Sequence, residues 1–168
     1  GCYSSKYPFI CQYVYNTVIQ KMTSLGKTAT DRKNALNRDG LTIKTVIDPT
    51  IQDAAQKSLS SYVAATDPVI SVGVTVQPST GLITSMVQSR PTMGSDTKKG
   101  QTWINYAVTE SMGGAEGYQA GSTFKAFTIA AALAKGMSVK TSYLSSSPMN
   151  FTGTTWQGCQ GTFKQLAT

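Results

Sequence analysis

The sequence predicts an α+β domain, in which helices pack against an antiparallel sheet. Two stretches rich in Val and Ile, residues 69–76 and 82–87, flank the turn sequence Q-P-S-T-G at 77–81, a pattern typical of a β-hairpin. Helical patterns stand before and after this hairpin. The most apolar of them, G-S-T-F-K-A-F-T-I-A-A-A-L-A at 121–134, predicts a helix buried in a core.

The segment ahead of the hairpin contains further elements, each predicted from a local signal. They are a helix at 9–22, a loop at 26–40, a strand at 41–47 and a helix from 49 to 65. The loop follows from polar composition and the strand from alternating apolar and polar side chains. Asp48 is a favoured N-cap and Pro49 suits the first helical position. The apolar stripe of this second helix comprises Ile51, Ala55, Leu59, Tyr62 and Val63.

The segment after the hairpin is rich in glycine. It predicts a loop at 90–102, a short helix at 103–112 and the apolar helix at 122–135. Gly113, Gly114 and Gly117 form a flexible approach to that helix, and Gly136 is placed to cap its C-terminus. The remaining residues lack a strong apolar period.

Composition limits the classes of partner. Fifteen Lys and Arg against eight Asp and Glu give a net charge of +7, which fits either a solvated surface or attraction to an anionic partner. The basic residues are scattered, so we expect no nucleic-acid binding. The chain begins at Gly1 and contains neither a signal peptide nor a membrane span. We therefore expect a processed or partial chain, with any export signal or anchor upstream.

The three cysteines, Cys2, Cys11 and Cys159, indicate disulfide chemistry and not metal binding. No C-x-x-C pair exists and the chain has no histidine, so we expect no zinc site and no cofactor. Cys2 and Cys11 are close enough in sequence to close a small disulfide loop. Cys159 would then be unpaired or would pair beyond the chain. This cysteine usage favours an exported protein.

The S-x-x-K motif occurs three times, at Ser24, Ser95 and Ser122. Only Ser122 opens an apolar helix, where Lys125 lies on the same face and can reach the serine hydroxyl. Without histidine no Ser-His-Asp triad can form within the chain, so a Ser-Lys pair is the natural candidate for nucleophilic chemistry.

The environment of Lys125 decides between two interpretations. A free lysine is almost fully protonated at pH 7, so a base requires apolar surroundings that disfavour the ammonium form. Lys125 is the only charged residue between Gly117 and Ala134, which favours such surroundings. The alternative is that Ser122 is only an N-cap and Lys125 a surface residue.

Several ordered segments resemble class A penicillin-binding proteins, especially actinobacterial members. The segments are 40–55, which resembles the lead into the transpeptidase domain; 72–87, its first hairpin; 105–107 and 119–127, the approach to its active-site serine; and 7–14, the linker after the glycosyltransferase domain. Together they are far more specific than S-x-x-K alone. The resemblance implies a lead-in segment at 1–66 and the N-terminal part of a transpeptidase domain at 67–168.

The resemblance also implies a mechanism. Ser122 would attack the D-Ala-D-Ala carbonyl of a peptidoglycan stem peptide, with Lys125 as general base and the Ser122 N–H as half of the oxyanion hole. A neighbouring stem amine would resolve the acyl-enzyme, and β-lactams would acylate the same serine. The implied partners are stem peptides, β-lactams, the rest of the domain, and an upstream glycosyltransferase domain with a membrane anchor. The implied location is the outer face of the cell membrane.

Two departures from the family pattern matter. Ala126 replaces the Pro that many relatives carry after the motif lysine. The second and third motifs, S-x-N and K-T-G, are absent from the chain, so we expect it to be incompetent by itself. The alternative is a non-catalytic sensor of the same fold that binds β-lactam or peptidoglycan.

Overall fold

The computed structural model describes residues 1–144, 155–158 and 161–163. The chain divides into two compact units, an N-terminal unit from Gly1 to Tyr118 and a C-terminal unit from Gln119 to Thr168. The main elements of the N-terminal unit are α1 (Pro8–Lys21), α2 (Ala29–Arg38), α3 (Pro49–Tyr62), β1 (Val72–Val76) and β2 (Ile83–Gln88). Those of the described C-terminal unit are α4 (Lys125–Ala134), β3 (Trp156–Gly158) and β4 (Gly161–Phe163). Helices combined with antiparallel strands confirm the predicted α+β class.

The predicted hairpin at 69–87 is confirmed. β1 and β2 pair antiparallel, with Val72 opposite Gln88 and an irregularity between Thr75 and Val76. The N–H of Gln77 donates to the carbonyl of Leu82 at 2.8 Å and closes the turn. A second antiparallel pair of strands, β3 and β4, lies in the stretch for which the sequence predicted no element.

The start of α3 follows the predicted capping chemistry. Asp48 Oδ1 accepts hydrogen bonds from the N–H groups of Thr50 (2.8 Å) and Ile51 (3.3 Å), and Pro49 occupies the first helical position. The predicted apolar stripe is wrong at two of its five positions, because Ile51 and Tyr62 are exposed. The helix instead buries the polar Gln52, which faces β2.

Gln52 and the neighbouring Gln56 cover the free edge of β2. Gln52 Nε2 donates to the carbonyl of Met86 and Gln52 Oε1 accepts from the Met86 N–H, both at 2.8 Å. Gln56 Nε2 donates to the carbonyl of Gln88 at 3.0 Å. An open strand edge leaves backbone groups unpaired, so these two amides take the part that a third strand would otherwise play.

The core of the N-terminal unit lies between α1, β2 and the loop that follows β2. Its buried apolar side chains are Phe9, Ile10, Val18, Met86, Val87 and Met93. The predicted helix at 9–22 is confirmed as α1, although it ends at Lys21, ahead of Gly26. The Cys2–Cys11 disulfide is present and ties the first residues to α1. The prediction for Cys159 lies outside the described residues.

An exposed cluster joins the first residues to α3. Lys6 Nζ donates to Asp53 Oδ2 at 2.8 Å, and the Tyr7 hydroxyl donates to Asp53 Oδ1 at 2.9 Å. These hydrogen bonds, that from Lys6 first, lower the pKa of Asp53 below its ordinary value. The first residues of the chain are thus joined to α1 by the disulfide and to α3 by the ion pair.

The loop predicted at 26–40 is wrong, because this stretch contains α2. Thr28 Oγ1 accepts from the Asp31 N–H, and the Asp31 carboxylate accepts from the Thr28 N–H, which together form a capping box. The backbone hydrogen bond from Thr28 lowers the pKa of Asp31. The pattern T-x-x-D at 28–31 is a local signal for the start of a helix. The polar composition of residues 26–40 led instead to the prediction of a loop.

Two further predictions of secondary structure are wrong. Residues 41–47 form no strand, because they make no ladder with another strand of the described chain, and Leu41, Ile43 and Val46 are exposed. The helix predicted at 103–112 is reduced to a single turn, Glu110–Met112. The buried Asn105 accounts for this second difference, since its side chain accepts from the Ala107 N–H and competes with helical bonding.

Candidate active site

The apolar helix of the C-terminal unit is preceded by a tight turn. Residues Gly121–Phe124 form a 3-10 turn that continues directly into α4. The helix ends in a Schellman motif, in which Gly136, at φ +88°, donates to the Leu133 carbonyl and Met137 donates to the Ala132 carbonyl. The predicted cap at Gly136 is therefore confirmed. The helix itself begins three residues later than predicted.

Ser122 lies in this turn, and Lys125 is the first residue of α4. The N–H of Lys125 donates to the carbonyl of Ser122. Both side chains are exposed, and no hydrogen bond joins them among those of the described residues. As the second residue of the turn, Ser122 has a backbone N–H without a partner inside the helix. The turn thus presents a hydroxyl, an N–H and an ammonium group within one stretch of four residues.

The prediction that α4 is a buried core helix is wrong for this chain. Its large apolar side chains are exposed by 65% at Phe127, 61% at Ile129 and 42% at Leu133, and Phe124 in the preceding turn is exposed by 59%. An apolar helix is buried only when another layer covers it, and the described residues do not supply that layer. The apolar surroundings expected for Lys125 are likewise absent from the described chain.

The other two S-x-x-K serines have different surroundings. Ser24 lies in the isolated turn Thr23–Leu25. Ser95 Oγ accepts a hydrogen bond from Trp103 Nε1 at 2.9 Å and lies in a loop. All three motifs fall in the described part of the chain. The Ser24 motif ends just ahead of α2, but only the Ser122 motif places its lysine inside an α-helix.

Buried amides support the fold around the segment 105–107. Asn105 is fully buried and donates to the carbonyl of Phe9 at 3.1 Å. Gln88 donates to the carbonyl of Ile104 at 3.2 Å and accepts from the Tyr106 N–H at 3.0 Å. Gln88 and Gln52 were not predicted from the sequence. The sequence does hold a signal for them, because each is a polar residue at a position where the period of its strand or helix points the side chain inward.

Two other features, a metal site and a membrane span, are absent from the described residues. Within residues 1–144, 155–158 and 161–163, no group of three His, Cys, Asp or Glu side chains is placed to hold a metal ion. None of the helices in that part of the chain is long and apolar enough to cross a membrane.

Comparison with known proteins defines the class. The family model for the penicillin-binding protein transpeptidase domain matches residues 71–166, which is more than half of the chain. The matched range includes the hairpin, Ser122, Lys125 and α4. The chain belongs to the penicillin-binding protein transpeptidase family.

A curated relative supports this membership. Penicillin-binding protein 1A of Mycobacterium tuberculosis (strain ATCC 25618 / H37Rv) is 30% identical over 132 residues. The alignment covers 76% of the chain and 14% of that protein, so the chain spans a small part of its relative. No solved structure matches the chain with significance.

Proposed function

We propose that the chain is the N-terminal part of a serine D,D-transpeptidase of the class A, actinobacterial type, with Ser122 as the acylated residue. The observation that carries this proposal is the position of Ser122, which alone among the three S-x-x-K serines has its motif lysine inside an α-helix, as the first residue of α4. It also lies within the range that matches the family model. We place the start of the transpeptidase domain at residue 67 and regard residues 1–66 as its lead-in segment.

The proposed reaction has two steps. Ser122 Oγ attacks the carbonyl carbon of the penultimate D-Ala of a stem peptide, and the C–N bond to the terminal D-Ala breaks. The proton leaves Oγ for Lys125 and passes to the departing amine. The amine of a second stem peptide then attacks the ester carbonyl, forms the cross-linking amide and returns Ser122 Oγ to its hydroxyl form. A β-lactam enters the first step only.

The turn supplies part of the electrostatic requirement. Peptide N–H groups at the start of a helix carry partial positive charge, which stabilises a developing oxyanion. The Ser122 N–H has no intrahelical partner and is suited to be one donor of the oxyanion hole. The second donor would come from the remainder of the domain, as would the S-x-N and K-T-G motifs.

The exposed face of α4 supports this dependence on the rest of the domain. Three large apolar side chains of this ten-residue helix and Phe124 just ahead of it are exposed, and together they form an apolar surface that calls for a covering layer. We propose that the remainder of the transpeptidase domain covers it. That layer would also give Lys125 the apolar surroundings that favour its neutral form.

We further propose that the protein acts on the outer face of the cell membrane, downstream of a membrane anchor and a glycosyltransferase domain. The Cys2–Cys11 disulfide supports this location, because disulfides persist in oxidising compartments. Peptidoglycan stem peptides and β-lactams are its proposed partners.

The test is acylation of the full-length protein by a fluorescent penicillin, with the adduct mapped by mass spectrometry. We expect the adduct on Ser122 and complete loss of labelling in Ser122→Ala. Lys125→Ala should lower the acylation rate by about 100-fold or more, since a general base typically contributes 10²–10⁴-fold. Cross-linking of stem peptides is measured in parallel, because labelling without cross-linking would indicate the sensor instead of the enzyme.

Matched controls come from the motif at Ser24. Ser24→Ala and Lys27→Ala change an exposed S-x-x-K pair outside the range matched by the family model. They should label at the rate of the unmodified protein. An adduct on a serine other than Ser122 would contradict the assignment of the nucleophile. An unchanged rate in Lys125→Ala would contradict the role of the lysine as base.

A further inference from the structure

One side of α1 carries three amide side chains that donate to the same segment of the chain. Gln12, Asn16 and Gln20 follow one another at intervals of four residues, which places them on one face of the helix. Their acceptors are backbone carbonyls within residues 103–112, at least 91 positions further along the chain. Gln12 makes the longest of the three bonds, at 3.4 Å to the carbonyl of Trp103. These three side chains are the amide stripe of α1.

The two stronger bonds of the amide stripe hold the turn at Glu110–Met112. Asn16 Nδ2 donates to the carbonyl of Met112 at 2.8 Å, and Gln20 Nε2 donates to the carbonyl of Ser111 at 2.6 Å. Asn16 is half-buried, whereas Gln20 is exposed. Water competes less for a shielded hydrogen bond, so Asn16 makes the main contact of the stripe.

The segment that the stripe holds is also closed on itself. The N–H of Asn105 donates to the carbonyl of Gly113 at 3.1 Å, and the N–H of Gly114 donates to the carbonyl of Thr109 at 3.0 Å. The side chain of Asn105 donates to the carbonyl of Phe9 in α1. With the three bonds of the stripe, this makes four hydrogen bonds between α1 and residues 103–112.

Two glycines show how closely this segment is packed. A Cβ atom at Gly113 would lie 3.2 Å from Gln12 Nε2 and 3.4 Å from Asn16 Nδ2. A Cβ atom at Gly114 would collide with the carbonyl of Val108. The sequence predicted a flexible approach at these glycines, but the backbone here is in close contact with its neighbours.

The anchored stretch continues to within four positions of Ser122. The hydroxyl of Tyr118, the last residue of the N-terminal unit, donates to the carbonyl of Tyr106 at 3.2 Å. Residues 119–121 alone separate Tyr118 from Ser122 along the chain. The segment 105–118 is therefore a covalent lead to the serine that is fastened to α1 at its start and to itself at its end.

We propose that α1 positions the acylating serine through this segment, with Asn16 as the principal positioning residue. The inference rests on the proposed function of Ser122. A reacting group that is misplaced by about 1 Å loses about 100-fold in rate, so its supporting residues must be held by their own hydrogen bonds. Asn16 touches no substrate and acts only through residues 105–118. The lead-in segment thereby contributes to the rate of acylation.

The experiment measures acylation of the full-length protein by a fluorescent penicillin at increasing concentrations. This separates the rate constant at saturation from the half-saturating concentration. Asn16→Asp keeps the size of the side chain, but its carboxylate cannot donate to the carbonyl of Met112. We expect the rate constant at saturation to fall by about tenfold or more, with little change in the half-saturating concentration.

Two further variants separate hydrogen bonding from packing. Asn16→Ala should lose less than Asn16→Asp, because water can replace the missing donor and no second acceptor faces the carbonyl. Asn16→Gln keeps an amide and should lose least. A role in packing predicts that Asn16→Ala is worse than Asn16→Asp, since only alanine removes volume. That order would overturn the proposal.

The matched control is Gln56→Glu. It makes the same exchange of amide for carboxylate at another half-buried side chain, which donates to the carbonyl of Gln88 in β2 at 3.0 Å. It should lower the thermal unfolding midpoint but leave the acylation rate constant unchanged, since unfolding reduces the fraction of protein that labels and not the rate of the folded fraction. An equal loss of rate constant in Gln56→Glu would show general destabilisation and overturn the proposal.

Hydrogen exchange followed by mass spectrometry tests the anchor without using acylation. Asn16→Asp should speed exchange across residues 105–118, and Gln56→Glu should not. Unchanged exchange there in Asn16→Asp overturns the proposal, as does faster exchange with an unchanged acylation rate constant. An adduct on a serine other than Ser122 would refute the acylation proposal, whereas the exchange result depends on α1 and residues 105–118 alone. The two failures are therefore distinguishable.

Discussion

Replacing Gln52 with methionine removes the side-chain amide that covers the edge of β2 while keeping most of the volume. Gln52 is only 4% exposed, and its two hydrogen bonds to Met86 are both 2.8 Å long. The substitution leaves the N–H and the carbonyl of Met86 without partners at a buried position. We expect it to destabilise the N-terminal unit through hydrogen bonding and not through packing.

The size of the effect follows from those two groups. A buried backbone group left unsatisfied costs about 1–3 kcal/mol, so two such groups cost about 2–6 kcal/mol. Whole domains are stable by about 5–15 kcal/mol, so the loss is a large fraction of the total. With a urea slope of about 1–3 kcal/mol per molar, the unfolding midpoint should fall by roughly 2 M.

The assay is urea unfolding of the purified chain, followed by circular dichroism. Gln56→Met is the matched control. It removes two hydrogen bonds from a half-buried site, but only the bond to the carbonyl of Gln88 involves a backbone group of β2, since the other joins the exposed Ser60 hydroxyl. Its cost should be about 0.5–1.5 kcal/mol. If Gln56→Met destabilises as much as Gln52→Met, the reasoning that edge coverage by Gln52 stabilises the hairpin is refuted.

Two other predictions concern charged residues. Arg32→Lys should lower the free energy of unfolding in urea by about 1–3 kcal/mol. The buried guanidinium donates to three carbonyls, and a lysine ammonium cannot reproduce that geometry. An unchanged unfolding midpoint would contradict this prediction. Asp53→Asn should lower stability at pH 7 but not in acid. The folded-state pKa of Asp53 is lowered, so its contribution is present above the unfolded pKa and is lost as the pH falls through the folded value. Urea unfolding midpoints of the unmodified protein and of Asp53→Asn, measured at pH 7 and in acid, check this prediction. A lower midpoint of the variant that persists in acid would refute it.

Local signals in the sequence predicted the elements whose bonds close within a few residues. Asp48 accepts from N–H groups two and three positions away, and the turn at 77–81 closes on itself. Gly136 is favoured by the left-handed conformation of a Schellman cap. The Cys2–Cys11 disulfide joins residues nine positions apart, and the S-x-x-K motif is contained in four consecutive residues.

Other predictions failed because their outcome depends on distant partners. The alternating residues 41–47 form a strand only if another strand pairs with them, and none of the described strands does. Asn105 is held in the core by its bond to the carbonyl of Phe9, 96 positions away, and its side chain there accepts from the Ala107 N–H, which reduces the predicted helix to turns. The apolar composition of α4 indicates a buried face, but composition does not supply the layer that covers it.

The sequence by itself predicted the α+β class, the start of α3, the cap at the end of α4 and the turn of the hairpin, and it singled out the serine to which the family resemblance points. Its information is sufficient there because capping, turn geometry and the position of a motif on a helix depend on neighbouring residues. The tertiary structure alone decided that Gln52 covers the edge of β2, that the rings of Tyr3 and Trp103 lie 5.8 Å apart, and that α4 is exposed. Those outcomes depend on contacts between residues far apart in the chain, which no local pattern specifies.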